Sequence, residues 1–461
     1  MKARSGSSEP RFACVFDDIG TVEIERDGKP CARARAVLDD LPIADAFWSS
    51  LSSRLADLGD VAVAVYATDR LCRRPSGDAW HRVLEIELPV RDVDFWSDAH
   101  VHDRLTDVLR YVTDDEWRFR FVRKHGYARP SEHPTLFSRQ PKQPVVGALF
   151  SGGLDSAAGL VRFAIDDPCT SFAIFSARTS TRTGKPQRRQ LDLLDIAFRG
   201  RLWPTSATFG FAKGDEHHFD REERTQRTRG FAFQALGSIA AHLAGATSLL
   251  VFENGIGAIN LPYLDSQIGS QCTRATSPIT LALTSSVVAA VLGSEFEVRL
   301  PHLLRTKAEL CQALNEAALQ RLVSLTVSCD HFPQRKRDVD HCGACISCIL
   351  RRQSVFEAGL ESYDTVQYAH AALAQGTGPR ADGWFAYRAM EIQASRLSEV
   401  LAAESTDPHA IERAFPVFGE TVPYVLDRCG RGELLALFAR YCAEWDRFRA
   451  HVMTASIRER N

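Results

Sequence analysis

Residues 151–156, with the sequence Ser-Gly-Gly-Leu-Asp-Ser, combine residue types that are well suited to binding an anionic ligand. They follow an apolar, β-rich run at 145–150 and precede an amphipathic run at 157–166, so the order predicts a strand, a tight turn and a helix N-terminus. Two adjacent glycines let the backbone turn sharply and approach a ligand closely. The exposed N–H groups and the helix dipole favour phosphate, and Asp155 adds a carboxylate suited to holding Mg²⁺ or fixing the turn.

This turn differs from a Walker A loop, which requires a lysine that the segment lacks. It resembles instead the PP-loop of the ATP pyrophosphatase superfamily, whose members bind the pyrophosphate end of ATP and transfer AMP to a substrate oxygen. The resemblance implies an ATP-binding turn made of Ser151, Gly152, Gly153, Leu154, Asp155 and Ser156. The alternative is an ordinary glycine turn between a strand and a helix.

Four cysteines form a second cluster with the spacing C-x12-C-x2-C-x2-C, namely Cys329, Cys342, Cys345 and Cys348. Four thiolates with two Cys-x-x-Cys turns can close a tetrahedral Zn²⁺ site, and such a site is structural because no position stays open for water. An iron–sulfur cluster uses similar ligands, and the spacing alone does not separate the two. We interpret the flanking His331 and His341 as bystanders.

The turn and the cysteine cluster together resemble one family, the 7-cyano-7-deazaguanine synthases known as QueC. The segments that carry the resemblance are residues 328–329, 342–352, 356–360 and 307–309, and it covers about 144–363. Arg229 lies near a family arginine that precedes the helix before the fourth strand. The resemblance implies an ATP-dependent ligase that uses Mg²⁺, holds a structural Zn²⁺ and activates the carboxylate of 7-carboxy-7-deazaguanine as an acyl adenylate.

The chain also departs from the housekeeping QueC enzymes, which are much shorter. It carries an N-terminal extension, and the segments 253–262 and 269–278 replace the family's Gly-x-Asn and later aspartate. This variant resembles the QueC-like proteins of bacterial antiphage systems, QatC and the CBASS-associated proteins. That branch implies a protein acceptor and defence-system partners, with an amide as the product. The alternative is a preQ0 synthase that uses ammonia and forms a nitrile.

Site roles follow from the resemblance together with side-chain chemistry. Asp155, Lys307 and Arg229 are predicted catalytic residues, with Lys307 and Arg229 neutralising phosphate charge unless they are surface ion-pair residues. Glu253 and Asn254 are predicted to bind the guanine-like edge, because a carboxylate accepts hydrogen bonds and an amide both donates and accepts. Arg274 is predicted to hold a carboxylate or phosphate. The alternatives are a plain turn at Asn254 and a surface charge at Arg274.

Two rival functions belong to other classes. A tRNA-thiolating PP-loop enzyme would need catalytic cysteines and a basic RNA-binding face, which the closed cysteine set and the near-neutral charge do not favour. A nucleotide-binding scaffold without turnover is disfavoured by the intact turn. Release of AMP and pyrophosphate would separate an enzyme from a scaffold.

The composition limits the class of protein, its partners and its cellular location. The chain has 461 residues, of which 45% are hydrophobic and 25% charged, and a net charge of -2, which gives no overall attraction to nucleic acid or membranes. The N-terminus lacks the apolar core of a signal peptide, and the most apolar stretch, 279–292, is too short to span a bilayer. We therefore expect a cytoplasmic protein, in which twelve cysteines favour metal or structural thiols over disulfides.

The elements that must position these residues indicate an α/β fold. Residues 144–325 alternate short apolar strands with helices, which predicts a PP-loop (adenine nucleotide alpha hydrolase-like) parallel sheet with helices on both faces. The predicted strands are 145–150, 171–176, 206–211, 248–252 and 296–300. Because ligands bind beyond the carboxyl ends of such strands, residues 151–156 and 253–255 should share one rim.

The flanking regions complete the organisation. Residues 1–124 are predicted to form an α+β domain with one buried face, with strands at 61–66, 83–88 and 117–122. Residues 125–143 hold three prolines and predict a linker. Residues 326–365 form the zinc-binding segment. Residues 366–461 are predicted to be helical and are interpreted as a packing or dimer surface.

Overall fold

One continuous sheet runs through the protein and takes strands from both the N-terminal region and the α/β region. In the order of the sheet the strands are Glu297–Arg299, Ser248–Val251, Val145–Leu149, Ser171–Arg178, Leu202–Phe211, Lys29–Asp39, Thr21–Arg26, Arg11–Phe16, Val83–Val90 and Glu116–Arg123, and His217–His218 pairs with Lys29–Asp39 beside this path. The computed structural model describes residues 9–74, 80–126, 129–179, 184–212, 217–218, 223, 225–263, 273–332, 341–370 and 382–458. Part of the predicted rim segment, residues 269–272, lies outside them.

The strands are β1 Arg11–Phe16, β2 Thr21–Arg26, β3 Lys29–Asp39, β4 Val83–Val90, β5 Glu116–Arg123, β6 Val145–Leu149, β7 Ser171–Arg178, β8 Leu202–Phe211, β9 His217–His218, β10 Ser248–Val251 and β11 Glu297–Arg299. The helices are α1 Leu41–Phe47, α2 Ser53–Leu71, α3 Val93–Trp96, α4 Ala99–Thr113, α5 Leu154–Asp166, α6 Gly184–Ala197, α7 Arg229–Leu243, α8 Gly255–Ile259, α9 Pro278–Leu292, α10 Lys307–Glu316, α11 Leu322–Leu325, α12 Ile346–Glu357, α13 Asp382–Ala403, α14 Ala410–Ala414, α15 Pro416–Thr421 and α16 Arg431–Arg458.

The α/β region is a parallel, doubly wound sheet, as the alternating pattern predicts. Strand β6 pairs with β10 on one side and β7 on the other, so the chain reverses its winding direction beside β6. Side chains alternate between two cores: Ala148 and Phe150 pack with α5 and α10, whereas Leu149 packs with α7 on the opposite face. Helices therefore cover both faces. The point where the winding reverses is where such sheets bind ligands.

The predicted strand at 61–66 is wrong, because these residues lie inside helix α2, Ser53–Leu71. Their alternating Val and Ala resembles a strand pattern, but every residue from Val61 to Ala67 is buried. The helix is enclosed between the sheet and α7, so it needs no polar stripe and shows no helical periodicity. Strands β1, β2 and β3, which precede it, were not predicted.

The sheet does not break at the predicted linker. Strand β3 pairs antiparallel with β8, from Ala36 opposite Phe211 to Asp39 opposite Thr208. Buried residues of the N-terminal region and of α7 belong to one hydrophobic core. The N-terminal strands do have one buried and one exposed face, as predicted, since β2 and β5 alternate buried apolar residues with exposed charged ones. The two regions thus share a sheet and a core.

The C-terminal region is helical, as predicted. Helices α13 and α16 pack against each other and against α12, which follows the cysteine cluster. Their inner faces bury aromatic residues such as Tyr441, Trp445 and Phe448. Among the residues that the structure describes, none of the helices is both long and apolar enough to cross a bilayer.

Candidate functional site

The predicted glycine turn lies between β6 and α5, at the carboxyl end of the sheet. Gly152 has a φ of +82°, in the left-handed region that favours glycine. A Cβ at this position would also lie only 3.0 Å from Cγ of Gln187. Gly153 is the N-cap residue of α5, with extended backbone and no side chain to cover the helix end. The first turn of α5 is therefore presented at the rim.

The two serine hydroxyls of the turn hydrogen-bond to each other and to the turn backbone. Ser151 Oγ accepts from the Gly153 N–H at 3.2 Å and donates to Ser156 Oγ at 3.2 Å. Ser156 Oγ donates to the Gly153 carbonyl at 3.0 Å. These bonds hold both hydroxyls against the backbone of the turn.

Side chains that are distant in sequence hydrogen-bond to the backbone of the turn. Gln190 of α6 donates to the Gly152 carbonyl at 2.9 Å, and Gln187 donates to the Ser151 carbonyl at 3.1 Å. Ser328, next to the first clustered cysteine, accepts from the Leu154 N–H through its Oγ at 3.2 Å. The sequence pattern of the turn does not reveal these supporting residues. Only Ser328 was singled out by the sequence, because it belongs to the segment 328–329 that resembles the QueC family.

A compact polar cluster lies directly beside the turn. Lys307 Nζ lies 2.6 Å from Asp155 Oδ2, and the lysine side chain is 6% exposed. Asn254 donates through Nδ2 to Asp155 Oδ1 at 2.9 Å and to Glu253 Oε1 at 2.8 Å. The structure thus brings together four predicted site residues from three segments, at the ends of β6 and β10 and at the start of α10.

The local sequence explains how Asn254 and Lys307 come to face Asp155. Asn254 caps α8, since its Oδ1 accepts from the Gly257 N–H at 3.0 Å, and this leaves Nδ2 for the carboxylates. Thr306 and Glu309 form a capping box that begins α10 at Lys307. At Gly255, a Cβ would lie 1.9 Å from the Leu303 carbonyl oxygen, so only glycine lets these two segments approach. Asn254 is therefore both the N-cap residue of α8 and a member of the cluster.

The cluster carries mixed charge in a buried setting. Burial raises the pKa of Glu253 to about 8, and repulsion from Asp155 acts in the same direction. Burial alone would lower the pKa of Lys307, but attraction to Asp155 holds it above the usual lysine value. The cluster at neutral pH therefore contains the Lys307 cation and, in Glu253, a carboxyl group that readily keeps its proton.

Arg229 and Arg274 lie in a neighbouring cavity of about 350 Å³ rather than in the Asp155 cluster. Arg229 begins α7, where its guanidinium lies over Phe233 and donates to Gln226 Oε1 at 3.2 Å. Arg274 is ion-paired with Asp114 of the N-terminal region at 2.8 Å. Leu149 and Val251, at the ends of β6 and β10, form part of the cavity lining. The predicted residues therefore form two adjacent groups at the same rim.

The four predicted cysteines come together, with all four Sγ atoms within 4.8 Å of one another. Cys342 Sγ and Cys348 Sγ are 3.9 Å apart, close to the roughly 3.8 Å expected between sulfurs of a tetrahedral zinc site. Backbone N–H groups of Ala344 and Cys345 donate to Cys342 Sγ, at 3.3 and 3.2 Å. The cluster is compatible with a structural zinc site.

His341 is a neighbour of this cluster and not one of its four ligand candidates. Its Nε2 accepts from the Ser328 N–H at 3.1 Å, and burial lowers its pKa to about 4. The ring is fully buried against Tyr368. The neutral imidazole therefore connects the cysteine segment to Ser328 and, through it, to the glycine turn.

The chain matches no protein-family model, and no curated protein matches it at a significant level. Function is therefore inferred from the residues and their geometry. That geometry provides a glycine turn at a helix N-terminus, a buried lysine, and the carboxyl groups of Asp155 and Glu253 at the winding reversal of a parallel sheet.

Proposed function

We propose that the protein is an ATP-dependent adenylating ligase of the PP-loop class. The observation that carries the proposal is the position of Lys307 and Asp155 against the turn at 151–156, at the point where the sheet reverses its winding. A turn of backbone N–H groups and hydroxyls with a buried lysine beside it suits the pyrophosphate portion of ATP. A carboxylate within the same group suits Mg²⁺.

In the proposed reaction, a substrate carboxylate attacks the α-phosphate of ATP and gives an acyl adenylate and pyrophosphate. Ser151, Gly152, Gly153, Leu154 and Ser156 would hold the leaving pyrophosphate. Lys307 would neutralise its charge, and Asp155 would orient Lys307 and hold Mg²⁺. The carboxylate and ATP are both anions and repel each other. Positioning and charge neutralisation therefore dominate the rate.

The proposed acid is a 7-carboxy-7-deazaguanine-like molecule. Glu253 and Asn254 would accept and donate hydrogen bonds at its guanine-like edge, a role supported by the location of both side chains beside Asp155. An amine then displaces AMP and forms an amide. We propose that this amine belongs to a partner protein of an antiphage system. The alternative acceptor is ammonia, and a second ATP would then drive the loss of water from the amide to give the nitrile of preQ0.

The test is incubation of the purified protein with ATP, Mg²⁺, 7-carboxy-7-deazaguanine and either ammonia or candidate partner proteins. Acid-dependent release of AMP and pyrophosphate supports the ligase, and a mass increase of the partner protein supports protein modification. A free nitrile base as the sole product supports the preQ0 alternative instead. ATP binding without acid-dependent AMP release would contradict the proposal and favour a scaffold, whereas modified tRNA would favour the RNA enzyme.

A further inference from the structure

Another cavity, of about 310 Å³, is lined only by residues between positions 16 and 129, a part of the chain to which the proposed function gives no role. The turn between β1 and β2, strand β3 and helix α2 form most of its lining, and Lys124 and Arg129 complete it. It shares no lining residue with the glycine turn, the Asp155 cluster or the cavity at Arg229. The cavity is therefore a separate site.

Some of the charged groups in this lining already satisfy one another. Asp60 of α2 lies 2.9 Å from Lys124 Nζ and is also ion-paired with Arg129. Arg129 in turn lies 3.0 Å from Asp40. These ion pairs fix the lining beside α2. Because each of these groups has a partner of opposite charge, none of them calls for a ligand.

Arg35 of β3 differs from these groups. Its Nε is buried and has no hydrogen-bond partner within the described part of the chain. No carboxylate there lies within ion-pair distance of its guanidinium, whereas Arg33, two positions earlier on the same strand, lies 3.4 Å from Glu23. A buried donor without a partner is unfavourable, and a ligand carboxylate that accepts from it would remove this cost.

Asp17 and Asp18, in the turn between β1 and β2, bring the opposite charge to the cavity. Asp17 Oδ1 accepts from the N–H groups of Ile19 at 3.0 Å and Thr21 at 2.7 Å. Asp18 Oδ2 accepts from the His125 N–H at 3.0 Å. These bonds fix both carboxylates. The second oxygen of each has no hydrogen-bond partner among the described residues, so it can accept from a ligand cation.

Backbone contacts hold this turn against the strand that carries Arg35. The Gly20 carbonyl accepts from the Ala36 N–H at 2.8 Å. Gly20 has a φ of +86°, and a Cβ there would lie 2.5 Å from the Ala36 carbonyl oxygen, so only glycine allows this approach. The guanidinium and the two carboxylates therefore line one cavity, although they do not pair with each other.

The rest of the lining is largely apolar. Val63 and Ala64 of α2 and Leu88 of β4 are buried and form part of it. Ile19, at the tip of the turn, also lines the cavity and is 61% exposed. An apolar group bound here would cover Ile19 and contact the three buried residues, which would stabilise the complex by removing apolar surface from water.

We propose that this cavity binds a free α-amino acid with an apolar side chain. Arg35 binds the carboxylate, Asp17 and Asp18 bind the ammonium group, and the apolar residues contact the side chain. Because the unpaired groups carry both signs of charge, a ligand with only one charge would satisfy only half of the site. A volume of about 310 Å³ is at the small end of ligand sites and suits a molecule of this size. This binding goes beyond the ligase function and does not depend on it.

The test is calorimetric binding of three probes to the full-length protein: L-leucine, leucinamide, which lacks the carboxylate, and 4-methylpentanoate, which lacks the amine. Leucine should bind most tightly. Arg35→Gln should weaken leucine binding by about ten- to a hundredfold, the effect of losing a charged hydrogen bond, and leave leucinamide unchanged. The Asp17→Asn/Asp18→Asn double variant should weaken leucine and leucinamide and leave 4-methylpentanoate unchanged. Arg33→Gln, an exposed arginine of the same strand, is the matched control and should bind like the wild type.

The wild-type protein alone can overturn the site, whether or not the variants fold. Absence of leucine binding at millimolar concentration would do so, and so would equal affinity for leucine and for the two probes with a single charge. Equal leucine affinity in the wild type and in folded Arg35→Gln would overturn the assignment of the carboxylate. AMP release is measured separately, so leucine binding without AMP release contradicts only the ligase function, and AMP release without leucine binding contradicts only this site.

Discussion

Lys307 Nζ lies 2.6 Å from Asp155 Oδ2, although 152 positions separate the two residues in the sequence. Asp155 belongs to the first turn of α5 and Lys307 begins α10, and these two helices pack side by side on one face of the sheet. The contact places a cation against the glycine turn at residues 151–156. In the proposed ATP site, the phosphates would compete with the Asp155 carboxylate for this cation.

Removal of this pair should abolish turnover. We expect Asp155→Asn and Lys307→Gln each to lower acid-dependent AMP release by about a hundredfold or more, because the first removes the proposed Mg²⁺ ligand and the second removes the cation beside the proposed phosphate site. The measurement is single-turnover AMP formation at saturating ATP. Arg305→Gln, a neighbouring and more exposed arginine, is the control and should retain the wild-type rate. Wild-type rates in both cluster variants would exclude the pair from catalysis.

The same pair should contribute to stability. Lys307→Met leaves a carboxylate without its cation in a largely buried position, and we expect the free energy of unfolding to fall by about 3 kcal/mol. Adding Asp155→Asn should restore part of this loss, because the uncompensated charge is then removed as well. Denaturant unfolding of the two single variants and the double variant measures the coupling. Additive losses would mean that the two residues do not interact in the native state.

Gly152→Ala should impair the turn by two separate effects, backbone strain at a φ of +82° and contact with Gln187. We expect lower stability by about 1–2 kcal/mol and weaker ATP binding, because the N–H groups no longer converge. Gly293→Ala, with a φ of +64° and no neighbour in the way, is a control for strain alone. Equal ATP affinity in both variants would show that the turn does not contact ATP.

The cysteine cluster should hold one metal ion per chain. Elemental analysis should find zinc, and Cys345→Ser should lose the metal and melt at a lower temperature, since ligand loss removes part of the folding free energy. Cys169→Ser, an exposed cysteine outside the cluster, should keep both the metal and the melting temperature. Iron with visible absorption would identify an iron–sulfur cluster instead, and a metal-free native protein would exclude a resident metal.

Glu444 of α16 should make stability depend on pH. Burial raises its pKa to about 7 from the usual 4.5, despite hydrogen bonds from Thr306 and Gln353. The unfolded carboxyl ionises first, so the free energy of unfolding should fall as pH rises from about 4.5 to about 7, by up to about 3 kcal/mol. Glu444→Gln should flatten this slope in urea unfolding, whereas Glu399→Gln, on an exposed part of α13, should not. An identical slope in Glu444→Gln would contradict the assignment.

The sequence alone determined the local features of this protein. The glycine turn, the clustering of the four cysteines and the five parallel strands were predicted correctly. Turns, Cys-x-x-Cys segments and short apolar strands all depend mainly on neighbouring residues. Helix α2 was mistaken for a strand, since a fully buried helix has no polar face from which its period can be recognised. The first three strands were missed as well.

Only the tertiary structure decided which distant residues meet. Pairing of β3 with β8 joins the two regions into one sheet, and no local pattern specifies such a pairing. Packing of α5 against α10 places Lys307 on Asp155, whereas Arg229 and Arg274 line the adjacent cavity and Arg274 pairs with Asp114 of the N-terminal region. Residue types and spacing set the chemistry that each segment can perform, but burial of apolar faces against one another sets which segments share a site.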